Sequence, residues 1–220
     1  MNELEIKSLL QAKLASSQHG QGAAFVSELF IDEFSRRADL VMANGKLSAF
    51  EIKSEKDSLD RLDGQLSTYV KLFEQVTVVC AERHQAGVQN LAPENVGIWL
   101  LTAAGSIKVL RRAKTQKQAS HGTWLSFLPV DEIRLLLAEH HIPRAGTRDV
   151  LLTRASRIEV REVRLYVLDF FKNRRETRIA AKLARSKSTS RSQQGRPVQR
   201  QLEVDFRGVA PLVAIPRLVT

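Results

Sequence analysis

A chain of 220 residues, 43% hydrophobic and 26% charged with a formal net charge of +10, is long enough for one sizeable core plus an appendage, or for two small domains. That apolar fraction excludes a wholly disordered chain. No apolar run approaches the ~20 residues of a membrane-spanning helix, and the acidic start Met1-Asn2-Glu3-Leu4-Glu5 lacks the shape of a signal peptide.

Leu4, Ile6, Leu9, Leu10 and Leu14 recur at helical spacing and predict an amphipathic helix over residues 3–15, broken by the Ser/Gln/Gly stretch 16–22. Short β-type runs follow at 25–31, 38–43 and 47–53. The last two are joined by Asn44-Gly45, a strong hairpin signal because both residues tolerate positive φ. A second helix is expected from Asp57 to Gln75, with Leu59, Leu62, Leu66, Tyr69, Val70 and Phe73 as its apolar stripe. Residues 76–81 and 96–102 read as buried strands, and 106–110 as a shorter one. Cys80, within Val78-Val79-Cys80-Ala81, reads as a buried core thiol. As the single cysteine it excludes an internal disulfide and an iron–sulfur cluster, and a soluble cytoplasmic protein is expected. The element order predicts an α/β fold, a mixed β-sheet flanked by helices.

Residues 1–110 therefore read as the core and 111–124 as a basic linker. Residues 125–185 form an α-helical extension, with helices over 131–140, 147–156 and 159–185. Residues 186–220 form a basic tail that is expected to be largely disordered. Charge divides along the same lines. Residues 1–110 carry 11 Lys/Arg against 14 Asp/Glu, whereas 172–220 carry 12 against 3. A slightly acidic body with a basic rear suits a site tethered to a polyanion-binding tail; a tail that is merely solvated is the alternative.

The chemistry concentrates between Arg37 and Tyr69. Strand alternation puts Glu51 and Lys53 on one face and turns Phe50 and Ile52 to the other. Folding the hairpin at Asn44-Gly45 brings Asp39 toward Glu51 and Lys53. Two carboxylates and an amine at the end of a sheet suit metal-assisted phosphodiester hydrolysis, since carboxylate oxygens suit Mg²⁺ and an ammonium can orient water and stabilise charge on phosphate. Glu-x-Lys alone fits an ordinary surface hairpin as well.

Asp39 followed by Glu51-Ile52-Lys53 resembles the D-(x)n-E-x-K signature of the PD-(D/E)XK nuclease superfamily. Gln65-Leu66-Ser67-Thr68-Tyr69 resembles the Q-x-x-x-Y motif of its RecB-like exonuclease branch. The wider block is similar to small bacterial and phage members of that superfamily and, more distantly, to DNA-repair endonucleases of the MmcB group. The resemblance covers about residues 1–110; Ala38 stands where the superfamily carries proline. It implies a restriction-endonuclease-like sheet and a DNA nuclease using Mg²⁺, or Mn²⁺ in its place. Asp39, Glu51 and the Ile52 carbonyl would bind metal, Lys53 would position water, and Gln65 and Tyr69 would support Lys53 or the strand. Glu28 is the best match for an additional metal carboxylate; a solvent-facing strand glutamate is the alternative.

Arg61, one turn before Gln65, is a candidate DNA contact. Arg36 and Arg37 suit either a phosphate or pairing with Asp32 or Glu33. Residues 128–156 are similar to a SAP-type helix–loop–helix DNA-binding module in which Arg144, Arg148 and Arg154 would face the phosphate backbone; a helical hairpin packed on the core is the competing reading. DNA is the expected partner, and a homodimer stays open. A non-catalytic DNA-binding or assembly module on the same fold is the rival function.

Overall fold

The computed structural model describes residues 1–18, 20–31, 35–117 and 120–174, all within one contact unit, Met1–Ile179. Helix α1 (Glu3–Ala15) opens on a capping box: Asn2 Oδ1 accepts the Glu5 N–H and the Glu5 carboxylate accepts the Asn2 N–H, satisfying two of the helix's orphan donors. Six strands follow: β1 (Ala24–Ile31), β2 (Arg36–Ala43), β3 (Leu47–Lys53), β4 (Gln75–Ala81), β5 (Gly97–Leu101) and β6 (Ile107–Arg111). Between and after them lie α2 (Leu62–Leu72), α3 (Gln85–Leu91), α4 (His121–Ser126), α5 (Val130–Glu139), α6 (Arg148–Ala155) and α7 (Val160–Asp169), which runs into a π-helical turn, Phe170–Arg174.

The strands form one sheet in chain order, β1-β2-β3-β4-β5-β6. The pairs β1–β2, β2–β3 and β5–β6 are antiparallel, whereas β3–β4 and β4–β5 are parallel. Parallel neighbours need a crossover, and α2 and α3 supply the two. The expected mixed sheet flanked by helices is the fold. Every residue of β3 is buried, because this central strand is covered on both faces.

Those two faces hold separate cores. On one, Ile6, Leu10 and Leu14 of α1 meet Leu40, Met42, Phe50, Ile52 and Val79. On the other, Val41, Leu47, Ala49, Val76 and Val78 meet α2 through Leu62, Leu66, Tyr69 and Phe73. Helices α4–α7 join that second core. Phe127, just after α4, lies 5.5 Å from Phe73 and 5.8 Å from Phe171 between ring centroids. Arg164 of α7 donates to Glu74 Oε1 and to the Gly45 carbonyl, pinning the β2–β3 turn, where Gly45 takes φ +69°.

Several boundaries differ from the sequence expectation. The second helix was expected from Asp57 and begins at Leu62. Asp57 instead closes a turn after β3, its Oδ2 accepting both the Ser54 N–H (2.7 Å) and the Ser54 hydroxyl (2.5 Å). Helices α3 and α4, seven and six residues long, are too short for periodicity to reveal. The stretch read as a linker lies against the body: the Lys114 N–H donates to the Asn95 carbonyl and the Gln116 N–H to that of Glu74. The helix expected over 159–185 is α7 up to Asp169. Its last residues and the tail 186–220 lie outside the described residues, as do Asp32 and Glu33. Among the described residues no helix is long and apolar enough to cross a membrane.

Candidate active site

The β2–β3 ladder ends at the pair Leu40–Phe50, and one further step sets Asp39 opposite Glu51. There the Asp39 side chain takes over from the backbone: its Oδ2 accepts the Ile52 N–H at 2.7 Å. Glu51 and Lys53 point to the α2 side of the sheet, as alternation requires, and both are almost inaccessible, at 1% and 5% exposure. Phe50 and Ile52 turn to the α1 side.

Glu51 is held from every direction. Its Oε1 accepts from Lys53 Nζ (2.9 Å) and Gln65 Nε2 (2.5 Å), and its Oε2 accepts from the Tyr69 hydroxyl (2.9 Å). Lys53 Nζ also donates to Gln65 Oε1 at 3.0 Å. The Tyr69 hydroxyl lies 2.8 Å from the Arg37 carbonyl as well, so one side chain of α2 ties β2 to β3. Helical spacing explains the grip, since residues four apart share a face and Gln65 and Tyr69 meet the carboxylate together.

The electrostatics follow from burial and crowding. Burial, and then the neighbouring Glu51 charge, push the Asp39 carboxyl up to about 7, against the opposing pull of the Ile52 N–H. Burial and the same Glu51 push the Tyr69 hydroxyl far above its ordinary value, so it stays a donor. Burial pushes the Cys80 thiol up to about 11 on β4, and it plays no part in the site.

The α1 side adds two groups that sequence reasoning missed, Glu3 and Lys7. Glu3, Glu28 and Asp39 each offer a carboxylate oxygen within 4.8 Å of the others. Lys7, 8% exposed, pairs with Glu28 and with Glu3 (3.4 Å); burial pulls its ammonium down, but the carboxylates of Glu28, Glu3 and Asp39 together outweigh this and leave it raised. Arg37 Nε approaches Glu28 Oε2 to 2.5 Å as an ion pair, off the line of a hydrogen bond. Glu28 is thus a half-buried member of an ionic cluster, with φ +54°, a left-handed conformation that costs a residue bearing a Cβ about 1–2 kcal/mol. A signal for Glu3 was present: Lys7 falls among Ile6, Leu10 and Leu14 on the buried face of α1, and a buried lysine needs a carboxylate nearby.

Glu3, Asp39, Glu51 and Lys53 line a cleft of about 330 Å³ together with Arg36, Arg37, Asp57, Arg61 and Gln65. Arg61 therefore sits at the site. Arg144, Arg148 and Arg154 do not line it. Arg148 donates to the Leu128 carbonyl (3.0 Å), and Arg154 donates to those of Pro143 (2.9 Å) and Ala145 (2.5 Å), bracing the α5–α6 hairpin. The donor set at the site is oxygen throughout, and carboxylates gathered around a half-buried Asp39 fit a hard divalent cation such as Mg²⁺.

Comparison with known proteins adds relatives. The profile of the bacteriophage P4 protein cII family matches residues 1–194. Protein cII of Enterobacteria phage P4 is 34% identical over 179 residues, which is 79% of this chain and 68% of the phage protein. Among solved structures, SPO1766, a protein of unknown function from Silicibacter pomeroyi, aligns at 19% identity with a TM-score of 0.41, over 64% of this chain and 93% of its own. Pyrococcus furiosus SfsA, solved in complex with Ca²⁺, aligns at 13% identity with a TM-score of 0.29, over 52% and 62%.

Proposed function

The chain belongs to the bacteriophage P4 protein cII family, and from that premise and the geometry of its cleft we propose that it is a divalent-metal-dependent nuclease of the PD-(D/E)XK kind, hydrolysing phosphodiester bonds in DNA. The observation that carries this reading is the buried Glu51–Lys53 pair beside Asp39, at the floor of an open cleft. Taking two charges out of water costs several kcal/mol per ion, and well-packed apolar residues would hold a sheet at least as well. A surface hairpin would leave both ends of such a pair in solvent. Burying them where a cleft gives access fits a site that does chemistry.

Asp39 and Glu51, with the Ile52 carbonyl as the superfamily resemblance implies, would hold the cation, and Glu28 and Glu3 would complete the acidic surround. When bound, Mg²⁺ or Mn²⁺ supplies Lewis acidity, lowering the pKa of a water and neutralising charge that grows on the phosphate. Lys53 directs its ammonium toward the attacking water and the phosphate oxygens. Gln65 and Tyr69 are positioning residues: Gln65 bridges Glu51 and Lys53, and Tyr69 fixes the second Glu51 oxygen. Arg61 at the cleft contacts the DNA backbone. The basic residues after Phe171 add affinity without sequence preference.

The test is incubation of the full chain with labelled single-stranded, duplex, flap and junction DNA in Mg²⁺, Mn²⁺ or EDTA. Metal-dependent cutting that Glu51→Gln abolishes supports the proposal. Binding without cutting under any divalent ion overturns it in favour of a non-catalytic DNA-binding module.

A further inference from the structure

We infer that Arg36 binds a phosphate of the DNA strand lying in this cleft, and that residue 64 is glycine to leave its guanidinium room across the first turn of α2. The inference rests on the nuclease reading for its ligand, a nucleic-acid phosphodiester. It goes beyond that reading in assigning a further contact and the residue that makes space for it.

Arg36, the first residue of β2, is half-buried and lines the same cleft as Asp39, Glu51 and Lys53. Its guanidinium lies against α2: a Cβ built on Gly64 would stand 2.9 Å from Nη2, 3.6 Å from Cζ and 3.8 Å from Nη1. Gly64 sits within that helix, where glycine is less favourable than alanine by about 0.5–1 kcal/mol. It is not one of the glycines with positive φ, so backbone conformation does not call for glycine there. What glycine supplies is room for the arginine.

Among the described residues neither the Arg36 nor the Arg61 guanidinium makes an ion pair or a hydrogen bond, whereas Arg37, next along β2, has Glu28. Asp57 lines the cleft too, but its Oδ2 is taken by Ser54. A guanidinium keeps its proton, so two permanent cations face the cleft without a described anion to match them. They also come together. Gly64 and Gln65 lie three and four residues after Arg61, so all three share a face of α2, and the Arg36 fork lies across the middle one. On that face Gln65 Oε1 accepts from the Lys53 ammonium at 3.0 Å. Planar forks bind phosphate oxygens two at a time, and one so placed holds the strand beside the group proposed to act on it. Such contacts position DNA without reading its sequence.

The experiment measures binding of the full chain to a labelled duplex over a range of salt, in EDTA so that nothing is cut. Arg36→Ala is expected to weaken binding about ten-fold or more at low salt. It should also reduce the slope of log K against log salt by about 0.9, the share of one phosphate contact. Gly64→Ala should do the same by displacing the guanidinium, while its melting temperature stays level or rises. Because both changes act on one contact, the double variant should bind no more weakly than Arg36→Ala. If the added methyl instead lowers the melting temperature, Arg36→Ala in the same chain should restore it; failure to do so overturns the inference, because the clash is then with another group. An unchanged slope in Arg36→Ala also overturns it and returns Arg36 to pairing within the chain. So does a stable Gly64→Ala that binds as wild type, additive losses in the double variant, or a wild type that binds no DNA. Cleavage in Mg²⁺ is scored separately. Cutting by wild type with a silent Arg36 sinks only the phosphate contact, whereas an Arg36-dependent slope without cutting under any metal sinks only the hydrolysis.

Discussion

The Tyr69 hydroxyl donates to Glu51 Oε2 across 2.9 Å from a ring that is itself fully buried, so an aromatic side chain of α2 decides where the carboxylate of β3 can point. The same hydroxyl reaches the Arg37 carbonyl. Removing one oxygen atom therefore unties β2, β3 and α2 together.

Tyr69→Phe keeps the ring and deletes that oxygen. It leaves Glu51 Oε2 buried without its donor, a loss of about 1–3 kcal/mol. Urea denaturation is expected to show a lower midpoint with an unchanged slope. A midpoint equal to wild type would mean that Glu51 relaxes to another partner.

Glu51→Gln combined with Lys53→Met removes both buried charges while conserving shape. The double variant is expected to be at least as stable as wild type, since a buried ion pair is often no better than a neutral replacement. Lys53→Ala alone should lose about 3–5 kcal/mol, because it strands the Glu51 charge. Thermal melts of the three proteins check this. Cleavage should be lost in both variants, and a stable but inactive double variant separates chemistry from folding.

The Asp39 carboxyl stands at about 7 in the folded chain against 3.8 for the free side chain. A raised acid binds its proton more tightly in the native state, so it contributes stability that is fully present below about pH 4 and is lost as pH rises through 7. In EDTA, the stability of wild type relative to Asp39→Asn is expected to fall between those limits and to level above them. A flat difference would mean that Asp39 ionises as an ordinary carboxylate.

Residues 180–220 carry eight Lys/Arg against two Asp/Glu. A chain ending at Ile179 keeps the whole contact unit that bears the cleft. Its DNA affinity should drop at low salt and depend less steeply on salt, since fewer counterions are released. Cleavage at saturating DNA should persist. An unchanged salt slope would assign the tail to another partner.

Short-range pattern made much of the site legible. Alternation along 47–53 put Glu51 and Lys53 on one face, Asn44-Gly45 set the hairpin that faces Asp39 to Glu51, and the spacing of Gln65 and Tyr69 put both on one side of a helix. What the sequence hid depends on contacts between distant segments. Glu3 joins Asp39 only because α1 packs across the sheet. Arg148 and Arg154 read as DNA contacts in sequence, and the pattern could not show that Nη1 of each also braces the helical region through backbone carbonyls. Asp57 reads as the start of the second helix until its bonds to Ser54 show that it closes a turn instead.

The stack running from Phe73 through Phe127 to Phe171 has a practical meaning for anyone cutting the gene into pieces. Gln65 and Tyr69 stand on a helix whose far side is roofed by the C-terminal half of the molecule. A fragment of residues 1–110 would carry every group proposed for hydrolysis, yet it would bare Phe73 and the apolar flank of α2 to water. Such a fragment is set to aggregate. A cut between the sheet and helices α4–α7 is therefore no way to separate chemistry from DNA binding, whereas point substitutions, or a cut after Ile179, leave the contact unit whole.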